Sequence, residues 1–194
     1  MIKATDLPAY QDAGFQATPQ MRIKSFSLRE RAVLIPIELV MALKASFFVM
    51  LFFLFMSGLG GPGNYWHNVR YFGIFAIVAL LTATLAGSII TPLLLPALPG
   101  KAFSIKGTIV GIVTAAGILI FRNPDLALWA GRLEALAWLL MVLSITAYLA
   151  MNFTGASTYT SLSGVKKEIR IALPLQIGAG FAGLCLWLAS RFLA

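Results

Sequence analysis

The stretch Phe47-Phe48-Val49-Met50-Leu51-Phe52-Phe53-Leu54-Phe55 closes an apolar run that opens at about Val33 and stops at the breaker Gly58-Leu59-Gly60-Gly61-Pro62-Gly63. A bilayer core about 30 Å thick takes about 20 apolar residues of helix. Residues 33–59 exceed that length before the first glycine-proline turn, so this run reads as a membrane-spanning helix. Four more runs follow outward from it, over residues 71–95, 103–121, 133–153 and 171–193. The expected fold is all-α: a polytopic membrane protein of five transmembrane helices behind a cytosolic leader, residues 1–32, with the membrane domain over residues 33–194.

Composition agrees with that reading. Of the 194 residues 59% are hydrophobic and 11% charged, whereas a soluble domain carries about 25% charged residues. The formal net charge is +8, while the mean hydropathy is +0.87, so the basic excess sits on short connections between apolar runs. Such a pattern points to cytoplasmic loops and lipid headgroups rather than to nucleic acid. With the amino terminus in the cytoplasm, that side collects Lys3, Arg22, Lys24, Arg29, Arg31, Lys101, Lys106, Lys166, Lys167 and Arg170. The other side receives only Arg70, Arg122 and Arg191. The asymmetry favours a cytoplasmic amino terminus and predicts a bacterial or archaeal cytoplasmic (inner) membrane as the location. One Cys and one His exclude a disulfide framework, a His/Cys metal cage and a CxxC redox pair made by this chain alone.

Ionisable residues inside spans are functional candidates because a bare charge at mid-bilayer costs on the order of 3 kcal/mol. Glu38 and Lys44 fall in the first span, six residues apart and so on different faces of a helix. Lys44 can snorkel to the headgroups, whereas Glu38, two residues after Pro36, is positioned for a local break or a basic loop partner. Arg132 and Glu134 read as interfacial anchors. His67 belongs to a loop with the belt residues Tyr65 and Trp66, and Cys185 reads as a packing residue of the last span. Thr91-Pro92, Pro96 and Pro99 are expected to end the second helix near the membrane surface. Gly107, Gly111 and Gly117 give the third helix a small-residue face suited to close packing. No phosphate loop, nucleophile-base pair or carboxylate cluster appears.

Two connections are unlike plain linkers. Pro96-Ala97-Leu98-Pro99-Gly100-Lys101-Ala102-Phe103-Ser104-Ile105-Lys106-Gly107 is a rigid turn into a helix start, with Ser104 as its expected cap. Asn152 to Arg170 begins with a run of hydroxyls, Thr154, Ser157, Thr158, Tyr159, Thr160 and Ser161, and ends in the basic turn Lys166-Lys167. Hydroxyls at a helix end cap backbone groups; backed by positive charge they also suit a docking or ligand surface. The candidate docking or functional residues are therefore Thr154, Ser157, Thr158, Tyr159, Thr160, Ser161, Lys166, Lys167, Lys101 and Glu38. No residue of this chain is assigned as catalytic, cofactor-binding or metal-binding.

These same segments, Phe153-Thr154-Gly155-Ala156-Ser157-Thr158-Tyr159-Thr160-Ser161 with Ser163-Gly164-Val165-Lys166-Lys167-Glu168, Leu98 to Gly107, and Pro36-Ile37-Glu38-Leu39, resemble the membrane half of the mercury-methylating corrinoid protein (HgcA), related to the corrinoid iron-sulfur protein family. The leader, with Asp6-Leu7-Pro8-Ala9-Tyr10 and Ala17-Thr18-Pro19-Gln20-Met21-Arg22, is similar to that family's interdomain linker, so the resemblance covers nearly the whole chain. It implies a five-helix membrane domain that works with a cytosolic cobalamin-binding corrinoid domain and a ferredoxin-like iron-sulfur protein that reduces cobalt. The family's Asn-x-Trp-Cys-Ala-x-Gly-Lys helix cap does not occur in this sequence: Asn64 and Trp66 stand at its spacing, but His67 replaces the cysteine. Cobalamin is therefore expected in a partner or missing domain and not on this chain.

Three functions are compatible with this reading. The first is a membrane module of a corrinoid-dependent methyltransferase system resembling mercury methylation, anchoring and docking the cobalamin domain and its reductant. The second is a small transporter or channel for a metal ion or solute, using Glu38 and the broken end of the second helix as polar points. The third is a scaffold subunit of a membrane complex, suggested by the small-residue third helix.

Overall fold

A computed structural model describes residues 6–18, 27–153 and 162–193. Among these residues there is no strand. In lipid every backbone donor and acceptor must be satisfied within its own segment, which leaves the helix as the form these apolar runs take. A short helix α1 (Leu7–Asp12) precedes α2 (Leu28–Met56), α3 (Tyr65–Leu94), α4 (Phe103–Arg122), α5 (Trp129–Asn152) and α6 (Leu162–Phe192). The last five are each long and apolar enough to cross a membrane. The protein is a five-helix, all-α bundle of the multi-pass type.

Helices α3 and α5 form the centre. Along one side α3 carries α2, while α4 and α6 both pack on α5. Consecutive helices alternate in direction, so α2, α4 and α6 all start at one end, which also holds Lys101, Lys106 and Lys167 and is called the basic end below. At the opposite half of the bundle Phe53, Phe75, Trp138 and Trp187 make the core, with Phe53 4.7 Å from Trp187 and Phe75 edge-on to Trp138 at 5.3 Å between ring centroids. A second cluster, Ile35, Leu95, Phe103 and Phe153, closes part of the basic end.

Small residues set the closest approaches. A Cβ on Gly107 would lie 2.6 Å from Ala150 Cβ and from the Thr146 carbonyl, and one on Gly111 would meet Thr146 Oγ1 and Leu143 Cα. These two glycines let α4 lie directly on the α5 backbone, as their spacing predicts. Gly117 does not share in this: a Cβ there would have no neighbour within 4 Å. Between α2 and α3 the apolar contact includes one hydroxyl pair, with Ser46 Oγ and Thr84 Oγ1 2.9 Å apart.

The second apolar run ends as its prolines require, but through a distinct device. A π-helical turn, Ala86–Ile90, comes immediately before Thr91-Pro92. Proline has no N–H and crowds the carbonyl four residues back, and widening the helix by one residue relieves the crowding. Thr91 Oγ1 then donates to the Ala86 carbonyl at 3.0 Å. By contrast, Pro36 leaves α2 unbroken, so Glu38 sits half-buried on a continuous helix and not in a break. Lys44 is exposed, as a snorkelling residue is, and Cys185 faces outward from α6 instead of packing into the bundle.

Candidate functional site

At the basic end three side chains terminate helices other than their own. Arg31, buried at the start of α2, donates from Nη1 to the carbonyls of Pro92 (3.0 Å) and Leu93 (2.8 Å), the otherwise unpaired end of α3. Lys106 Nζ donates to the Leu95 carbonyl at 2.6 Å. Glu168 of α6 accepts the Ser104 backbone N–H at 2.7 Å through Oε1. Acidic oxygens are favoured at a helix N-terminus by its orphan donors and dipole. The expected cap of α4, the Ser104 side chain, is thus replaced: the capping position is Ala102, which has no side-chain acceptor, and a carboxylate from a helix distant in sequence takes over.

Helices α4 and α6 flank α5 in parallel and diverge, leaving a cleft of about 930 Å³ between them. Its walls are Phe103, Ile105, Ile171 and Leu175, its floor is Ala147, and Lys101, Lys106 and Lys167 stand at its basic end. Deeper in, Gln176 is 7% exposed, and among the described residues neither its Nε2 nor its Oε1 has a hydrogen-bond partner. The Gln176 main-chain carbonyl accepts from Ser144 Oγ at 2.6 Å, which fixes the backbone there, and the residue lines the cleft.

The structure therefore brings together Lys101 and Lys167 of the sequence candidates, both exposed. Lys166 is exposed on the next helical position and outside the cleft, and Glu38 is on α2, apart from it. Thr154, Ser157, Thr158, Tyr159, Thr160 and Ser161 lie outside the described residues. Gln176 was not among the sequence candidates. A lone amide in an apolar helix was its only signal, and nothing in the sequence shows that neighbouring helices fail to pair it.

A second polar group occupies the opposite end. Arg122 Nε lies 2.9 Å from Glu134 Oε1, with both side chains 9% exposed. The Arg122 guanidinium sits over Tyr71 (4.5 Å) and Phe75 (4.7 Å), and Arg191 stacks on Phe72 at 3.3 Å. Arg191 is almost wholly buried, and among the described residues its Nε and Nη1 have no hydrogen-bond partner. Glu134 is thus one half of a buried ion pair and not an interfacial anchor. Arg132 is exposed and donates to the Leu126 carbonyl (2.7 Å), with its guanidinium 5.1 Å from the Trp129 ring.

The cleft is lined by neither His nor Cys. Among the described residues no three His, Cys, Asp or Glu side chains come together. No family model, curated protein or solved structure matches the chain.

Proposed function

We propose that this protein is the membrane module of a corrinoid-dependent methyl-transfer system resembling mercury methylation. Its basic end faces the cytoplasm and docks a separate cobalamin-binding domain and a ferredoxin-like reductant. The observation that supports the reading is the distribution of exposed charge. Arg29, Lys101, Lys166, Lys167 and Arg170 are all exposed at the basic end, whereas Arg122 and Arg191 at the other end are withdrawn into the bundle, leaving Arg70 and Arg132 exposed there. A cationic end raises the association rate of an acidic partner and orients it. In this reading the chain supplies position, and the reactive cobalt comes with the partner.

Affinity capture of the tagged full chain from membranes, in the presence of a cobalamin-binding domain and a ferredoxin-like protein, tests the proposal. Both should co-purify at low salt and dissociate as salt rises, and replacing Thr158, Tyr159 and Thr160 with Ala should lower methyl transfer. If neither protein associates and the triple variant transfers methyl groups normally, the reading fails. Solute flux through liposomes that Glu38→Gln abolishes would favour a transporter instead.

A further inference from the structure

The cleft between α4 and α6 has the polarity profile of an amphiphile. Three lysines against one glutamate leave its mouth with a net charge of +2, and the one carboxylate, Glu168, is engaged by the Ser104 N–H. Lys106 is held by the Leu95 carbonyl, while Lys101 and Lys167 are exposed. Below them the walls are apolar, and the cleft lies on the outside of the bundle, where Ile105, Ile171 and Leu175 are exposed to the surroundings of the helices. Basic pockets between transmembrane helices recognise anionic lipid headgroups. The remaining observation is Gln176, whose buried amide has no hydrogen-bond partner among the described residues. Leaving such a group unpaired in an apolar setting is costly, so the cleft calls for an occupant carrying a hydrogen-bonding group at that depth.

Depth decides which group. Gln176 follows Glu168 by two turns, about 12 Å of rise, and side chains on a helix tilt back toward its N-terminus. Its amide therefore sits between the level of the lysines and that of its own Cα, where the glycerol linkage of a bound phospholipid would lie. We propose that the cleft binds one anionic phospholipid. The phosphate rests between Lys101 and Lys167 at the mouth, an ester carbonyl accepts from Gln176 Nε2, and an acyl chain lies along Ile171 and Leu175. This site stands independently of the docking function.

The test uses the full chain in detergent, with dioleoylphosphatidylglycerol, dioleoylphosphatidylcholine, an ether-linked phosphatidylglycerol and inorganic phosphate as separate probes, read by native mass spectrometry and thermal shift. Phosphatidylglycerol should be retained over phosphatidylcholine, and Lys101→Ala with Lys167→Ala should weaken its binding roughly tenfold. Gln176→Leu, which removes an unpaired amide and keeps the Ser144 bond to the main chain, should fold normally. It should weaken the ester lipid several-fold while leaving the ether lipid unchanged. Equal retention of the two ester lipids, an undiminished preference in the double lysine variant, an equal loss of ester and ether lipids in Gln176→Leu, or a thermal shift from inorganic phosphate matching that from the lipid would each overturn the proposal.

Discussion

Arg122 and Glu134 illustrate how one residue pair escapes a linear reading. They lie on opposite arms of the α4–α5 hairpin, and each separately looks like a surface charge near a membrane interface. Only the 2.9 Å contact under aromatic rings makes them a buried pair. Removing one partner of a buried pair strands the other charge. Glu134→Ala should therefore destabilise the protein by about 3 kcal/mol or more, and the double variant Arg122→Met with Glu134→Leu should recover much of that loss. Unfolding monitored in detergent decides the matter; a single variant as stable as the parent would mean that the pair is solvated. Gln176 escaped for a related reason, since what distinguishes it is the absence of a partner, a property of the assembled neighbourhood and not of the residue.

Helices, by contrast, were largely legible. The apolar runs are long, and each ends at glycines, prolines or charges, so α2 to α6 follow from length and hydropathy alone. What sequence spacing overstated was the glycine face of α4. Gly107 and Gly111 touch α5, but Gly117, further along the helix, points at nothing. The two positions should respond in opposite ways. Gly107→Ala forces a methyl against the Ala150 side chain and the Thr146 carbonyl and should cost about 1–3 kcal/mol. Gly117→Ala gains helix propensity without a clash and should stabilise by about 0.5–1 kcal/mol. Thermal unfolding of both variants is the measurement, and equal effects would mean that α4 does not lie on α5 as described. The π-turn before Pro92 was beyond the reach of spacing arguments, because a proline announces that a helix must yield there and not how.

For the whole molecule, alternation of helix direction puts Lys101 and Lys166 at one end and Leu126 at the other. In a Cys185→Ala background, cysteines placed at 101 and 166 should react with an impermeant maleimide from the same side of the membrane, and a cysteine at 126 from the opposite side. Labelling of 101 and 166 from opposite sides would be incompatible with a five-span bundle. The hydroxyl-rich connection falls on 154–161, outside the described residues, and the described cleft takes Lys101, Lys167 and Gln176 from other segments.

One contact joins the first and last spans at the end opposite the lysines. Gly60, in a backbone conformation with φ +71°, lies so close to the Arg191 carbonyl that a Cβ would come within 2.7 Å of it. The tight turn after the first membrane crossing thus rests on the final turn of the last one, about two thirds of the chain away. Helices enter the membrane in order of synthesis, and partly formed bundles leave surfaces uncovered. The turn after the first span can therefore reach this contact only once α6 is in place beside it.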